Sequence, residues 1–123
     1  MSDIKSFKDL NCWKKGREIR MTVSDLIKTF PSHERYELVS QMRRASRSVT
    51  HNIAEGYGRF HFQENIQFCR VSRASLYELI DQIDCAHLDK YIDEKTALAF
   101  EKDCKDAIKI LNGYINYLKR AKE

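Results

Sequence analysis

Apolar residues recur along this sequence in steps of three and four, the spacing that places side chains on one stripe of an α-helix. After a short extended start over residues 4–10, Cys12, Gly16, Ile19, Val23, Leu26, Ile27 and Phe30 form the first such stripe, closed by Pro31, which cannot donate a helical hydrogen bond. Residues 32–35 read as a linker. A second stripe runs through Leu38, Met42, Ala45, Val49, Asn52, Ile53 and Gly56, with Gly56 placed as a C-terminal cap. Residues 57–61 form a short loop around another glycine, Gly58. Beyond it Phe62, Ile66, Cys69, Leu76, Ile80 and Ile83 mark a third helix of about 28 residues, about 42 Å long. A turn at residues 91–93, with Asp93 as N-cap, leads into a fourth stripe that includes Ala97, Phe100, Cys104, Ile108, Leu111, Ile115 and Leu118.

Amphipathic helices joined by loops of a few residues run antiparallel to their chain neighbours. The expected fold class is therefore all-α, an antiparallel up-down-up-down four-helix bundle, with residues 1–123 as a single domain. The third helix carries more apolar surface than one seam needs, because Phe68, Val71, Leu79 and Ala86 lie well round from the Ile80 line. Two readings stay open: part of that arc meets another subunit, or this helix is the most central element.

Composition narrows the picture. A length of 123 residues leaves no room for a second large core, and only 4 Gly and 1 Pro leave little turn chemistry for a sandwich or barrel. With 42% hydrophobic and 33% charged residues, the chain is too apolar for a disordered tail and too polar for a membrane protein. The four cysteines, Cys12, Cys69, Cys85 and Cys104, are too far apart for a CxxC motif, and the N-terminus lacks the apolar core of a signal peptide. A cytoplasmic location with reduced thiols is the expectation. Net charge is +4 and the pI is near 8.9, a mildly basic balance compatible with phosphate-rich partners. Its distribution matters more: residues 1–31 carry +3, 32–59 carry +2, 60–91 carry −2 and 92–123 carry +1.

The candidate chemistry follows that charge. On a helical wheel of the second helix, Ala45 and Val49 face the core, Arg43 and Arg47 point directly away, and Arg44 lies on a flank with Ser48, His51 and Glu55. Arginine suits phosphate because its planar fork donates parallel hydrogen bonds and keeps its charge. The competing reading is a solvated face tied by salt bridges to Glu78, Asp81 and Asp84 of the third helix. Lys14, Lys15, Arg17 and Arg20 of the first helix add charge to the same region. In the loop, Tyr57, Arg59 and Phe60 combine aromatics with a cation, as in surfaces that stack on unpaired bases. The alternative is that Tyr57, Phe60 and Phe62 staple the second helix to the third.

His51 and Glu55 stand four residues apart, but two such groups are too few for a catalytic or metal site, and no HExxH, Cys/His cluster or glycine-rich phosphate loop accompanies them. Asn52 and Glu55 read as capping or interhelical hydrogen-bonding groups. Arg73 and Glu78 flank the apolar side of the third helix, where an ion pair with an arginine of the second would fix register.

The segment QMRRASRSVTHNIAEGYGR (residues 41–59), followed by FCRVSRASLYEL (68–79) and preceded by FKDLNCW (7–13) and the Phe30-Pro31 pair, resembles the four-helix bundle proteins encoded in intervening sequences of bacterial 23S ribosomal RNA genes. The NIAEGYGR core (52–59) is the most specific piece, and the resemblance covers nearly the whole chain. The same family includes the accessory variability determinant of diversity-generating retroelements, a barrel-like homopentamer whose basic surface is implicated in binding nucleic acid and a reverse transcriptase. The resemblance implies a homopentameric, non-enzymatic, basic bundle with no catalytic residue and no cofactor. RNA or DNA is the candidate ligand, with a protein partner such as a reverse transcriptase as the alternative. Cys12, Gly16 and His51 depart from the usual pattern, where more ordinary aliphatic, Ala or Ser residues are expected. The candidate nucleic-acid-binding residues are Arg43, Arg44, Arg47, Arg59, Lys14 and Lys15.

Overall fold

In the structure, a computed structural model that describes residues 3–121, the four stripes fold as four α-helices: α1 (Asn11–Leu26), α2 (Leu38–Tyr57), α3 (Phe62–Leu88) and α4 (Glu94–Arg120). The start of the chain is not simply extended. Phe7–Asp9 is a single 3-10 turn, held because the Ser6 hydroxyl accepts from the Lys8 amide at 2.9 Å while the Asp9 carboxylate accepts from the amides of Lys5 and Ser6. Those two backbone donors, Lys5 foremost, hold the Asp9 carboxyl below its ordinary range.

The first helix stops short of the predicted Phe30. Ile27–Thr29 tightens into a 3-10 turn and Phe30 turns extended at φ −77°, ψ 154°, because the ring of the following Pro31 disfavours helical geometry in the residue before it. The predicted linker also contains a 3-10 turn, Ser32–Glu34.

Gly56 is not a cap. The second helix runs on to Tyr57 with Gly58 at its C-cap, and Gly56 is buried inside it against α3. A Cβ built there would stand 2.7 Å from Asn65 Oδ1 and 2.9 Å from Phe68 Cβ, so the missing side chain is what allows the two helices to approach. Gly16 does the same between α1 and α2, where a Cβ would meet Val49 Cγ1 at 3.0 Å and Thr50 Cγ2 at 3.1 Å. Asp93 caps α4 as predicted, accepting from the Thr96 amide at 2.8 Å.

Each helix packs on its two neighbours, α1 on α2, α2 on α3, α3 on α4 and α4 back on α1, while the backbones of the diagonal pairs stay more than 8 Å apart between Cα atoms. Cross-helix partners run in opposite order, as in antiparallel neighbours: Val49 with Ser72 and Gly56 with Asn65 between α2 and α3, Asn65 with Tyr114 and Arg73 with Asn112 between α3 and α4. Ile19, Val23, Met42, Val49, Ile53, Ile66, Leu76, Leu79, Ile83, Leu111 and Ile115 are central to one apolar cluster drawn from all four helices. Leu79 and Ala86, which seemed surplus on the wheel, are fully buried because α3 packs against both α2 and α4. Val71 of the same arc is 50% exposed. Among the described residues no helix is long and apolar enough to cross a membrane.

Candidate nucleic-acid interface

The predicted residues scatter over several surfaces. Arg43, Arg44 and Arg47 are exposed on α2, and none of their guanidinium groups forms an ion pair or hydrogen bond among the described residues. The predicted bridges to Glu78, Asp81 and Asp84 are therefore not made within the chain. Glu78 instead accepts from Gln82 Nε2 at 3.0 Å, so it forms no ion pair with an arginine of α2 within the chain, and Arg73 donates to Asn112 on α4 at 2.7 Å.

Arg43 and Arg47, exposed as the wheel predicts, also line a groove. Beyond the close contact at Gly16, α1 and α2 leave between them a groove of about 220 Å³. Arg20 and Ser24 line it from α1, Ile27 from the 3-10 turn that follows, and Arg43, Ser46 and Arg47 from α2. Arg20, which the wheel ranked only as added charge, is held at its wall because Nη1 donates to Thr50 Oγ1 at 2.9 Å. Thr50 is itself 1% exposed and donates onward to the Arg47 carbonyl at 3.2 Å. Three arginines thus line one groove, and no acidic residue lines it.

The remaining candidates belong elsewhere. Arg59 is about 24 Å along the helix direction from Arg43 at 1.5 Å per residue, and it is already engaged: it pairs with Glu55 at 3.2 Å and lies over the Phe68 ring at 4.9 Å from its centroid. The Glu55 partner predicted for a cap or for His51 is thereby taken up by Arg59, while His51 is exposed. Lys14 and Lys15 line a second, shallower groove between α1 and α4, where Lys15 approaches Glu18 at 3.8 Å and Asp103 at 3.7 Å. Lys14 is exposed. Their groove adjoins the arginine groove at Met21, which lines both.

Tyr57 and Phe62 pack against the core as staples, whereas Phe60 is 89% exposed in the loop with its backbone at φ 66°. Asn52 bonds within its own helix, donating to the Ser48 carbonyl at 2.8 Å, and so is neither a cap nor an interhelical link. Among the described residues no group of three or more His, Cys, Asp or Glu side chains is placed to hold a metal ion. Cys12, Cys69 and Cys104 are buried, and desolvation pushes each thiol up to about 12.

Comparison with known proteins places this fold. A crystal structure of a protein of unknown function from the S23 ribosomal protein family of Bacteroides thetaiotaomicron superposes with a TM-score of 0.78 at 17% identity, covering 85% of this chain and 95% of that one. That likeness concerns the fold. No match is found among proteins of curated function. Residues 8–113, spanning all of α1, α2 and α3 and most of α4, match the family of the 23S rRNA-intervening sequence proteins, and the chain belongs to that family.

Proposed function

We propose that this chain is a non-enzymatic nucleic-acid-binding bundle that acts in the cytoplasm as a homopentamer and meets RNA or DNA through the phosphate backbone on its α1/α2 face. The observation that supports this reading is the set of guanidiniums of Arg43, Arg44 and Arg47, which have no ion-pair partner among the described residues. Charge without an internal partner is costly to a fold when like charges gather, and phosphate is the partner that arginine geometry suits. Lys14 extends the charge across α1.

The pentamer comes from the family resemblance. The apolar side chains that a single chain leaves in water, Val71 and Tyr77 on α3 and Leu98 on α4 among them, give self-association something to bury. A ring would repeat the arginine face and convert weak phosphate contacts into avidity. Fluorescence anisotropy with labelled single-stranded RNA over a salt series, with light scattering on the same sample, tests both parts. The expected results are a log-log affinity that falls linearly with salt and a mass of five 14.5 kDa chains. A salt-insensitive affinity contradicts the phosphate reading, and a monomer contradicts the ring.

A further inference from the structure

Resting on that reading and naming a subsite within it, we infer that the α1/α2 groove is a pocket for a single phosphoryl group, with Arg20, Arg43 and Arg47 as its donors and Thr50 as the residue that positions Arg20. Gly16 lets α1 touch α2 at Val49 and Thr50, and beyond that contact Arg20 and Ser24 line the groove opposite Arg43, Ser46 and Arg47. At a share of about 30 Å³ per water, its 220 Å³ would hold about seven waters. That is room for a phosphoryl group together with part of the sugar it esterifies. Val23 and Ile27 supply an apolar floor for those carbons.

The charge pattern selects the ligand. Three arginines and no acidic residue line the space, so the groove favours an anion with several oxygens over a cation or a neutral group. Arg20 is set in place before any ligand arrives, through the bond to Thr50 Oγ1 at 2.9 Å and the onward bond of Thr50 to the Arg47 carbonyl. Less side-chain freedom is then lost on binding. Phosphate chemistry has two sources here, the backbone of a nucleic acid and a small phosphate ester, and the test separates them.

The experiment measures the rise in melting temperature on adding inorganic phosphate, against chloride at equal ionic strength, and the anisotropy of labelled single-stranded RNA. It compares the 123-residue parent chain with Arg20→Ala, with the double variant Arg43→Ala/Arg47→Ala, with Thr50→Val and Thr50→Ser, and with Arg70→Ala, an exposed cation on α3 outside the groove. Phosphate is expected to raise the melting temperature of the parent and of Arg70→Ala and to leave the Arg20→Ala and double variants unmoved. RNA affinity is expected to fall at least tenfold in the groove variants. Thr50→Val should lose the phosphate response and Thr50→Ser should restore it, since the serine hydroxyl can still accept from Arg20. If RNA binds the groove variants as tightly as the parent, the pocket is refuted and the nucleic-acid reading survives. If phosphate acts through the groove but RNA does not bind, the pocket stands with a small phosphate ester as its ligand and the nucleic-acid reading fails. If neither phosphate nor RNA responds, both are wrong.

Discussion

The two glycines Gly56 and Gly113 give a test in which the same substitution is expected to act with opposite signs. At Gly56 an added Cβ would lie 2.7 Å from Asn65 Oδ1, 2.9 Å from Phe68 Cβ and 3.1 Å from the Asn65 carbonyl oxygen. Two of these neighbours are a backbone atom and a Cβ, which cannot swing aside, and the third belongs to an amide whose Nδ2 donates to Tyr114 at 3.1 Å. Relief therefore requires α2 and α3 to separate. Overpacking of this kind costs about 1–3 kcal/mol, and replacing a mid-helix glycine by alanine returns about 1 kcal/mol. The net expectation for Gly56→Ala is a loss of up to about 2 kcal/mol. At an unfolding entropy of about 2.1 cal/mol/K per residue, a chain of 123 residues loses up to about 8 °C in melting temperature. At Gly113, on the exposed side of α4, nothing lies within 4 Å of the added Cβ, so only the propensity gain remains. Gly113→Ala is expected to raise the melting temperature by about 3–4 °C for a gain of about 1 kcal/mol. Far-UV circular dichroism on both variants is sufficient. A melting temperature that rises for both glycines would refute the close α2/α3 contact as the reason for Gly56.

Other parts of the fold make separate predictions. Tyr91 donates to Glu34 Oε2 at 2.7 Å, and Glu34 Oε1 accepts from the Leu38 amide, tying the turn before α2 to the turn before α4. The Tyr91 hydroxyl, more than any other group, holds the Glu34 carboxyl below its ordinary 4.5, and the same bond pushes the Tyr91 phenol up to about 12. A lowered carboxyl stabilises above its unfolded value and loses that contribution as pH falls through the folded one. A raised phenol loses its contribution as pH climbs past 10. The stability gap between the parent and Tyr91→Phe should therefore be widest near neutral pH and close below about pH 4.5, which a melting series across pH reads directly; a gap that stays constant rules this bond out as its source. At the end of α3, Lys90 sits at φ 64°, with its amide bonded to the His87 carbonyl and the Tyr91 amide to the Ala86 carbonyl, a left-handed helix stop that suits glycine. Lys90→Gly should stabilise by about 0.5–1 kcal/mol, and a loss on thermal melting counts against the left-handed geometry. Of the four cysteines only Cys85 is exposed, so a thiol reagent should modify one equivalent in the native protein and four after denaturation, with Cys85→Ser removing the native reaction.

The helices were legible because period and punctuation agreed: the apolar stripes, Pro31 and the Asp93 cap all mark features that the structure contains. What the sequence concealed depends on partners distant in the chain. Gly56 reads as a stop because glycine commonly ends helices, yet its role is set by Asn65 and Phe68 on the next helix. The wheel showed that Arg43 and Arg47 are exposed, but only the placement of α1 puts Arg20 beside them, through a bond to Thr50, 30 residues away. Arg59 was the opposite case. Its spacing from Glu55 was already a helical i,i+4 pair, and the intervening Gly58 made the segment look like a free loop. Lys15 seemed part of the arginine surface until α4 brought Asp103 against it.

The central claim is that the α2 arginines contact phosphates and do not hold helices together. Its most direct test is the salt dependence of single-stranded RNA affinity in Arg43→Ala/Arg47→Ala, measured beside melting temperature and oligomeric mass. If both side chains hold the single phosphate of the groove, the log-log slope should lose about 0.7 for each groove engaged, the value per phosphate contact on a single strand, while melting temperature and mass stay those of the parent. An unchanged slope, with a lower melting temperature or a dissociated oligomer, would contradict the claim.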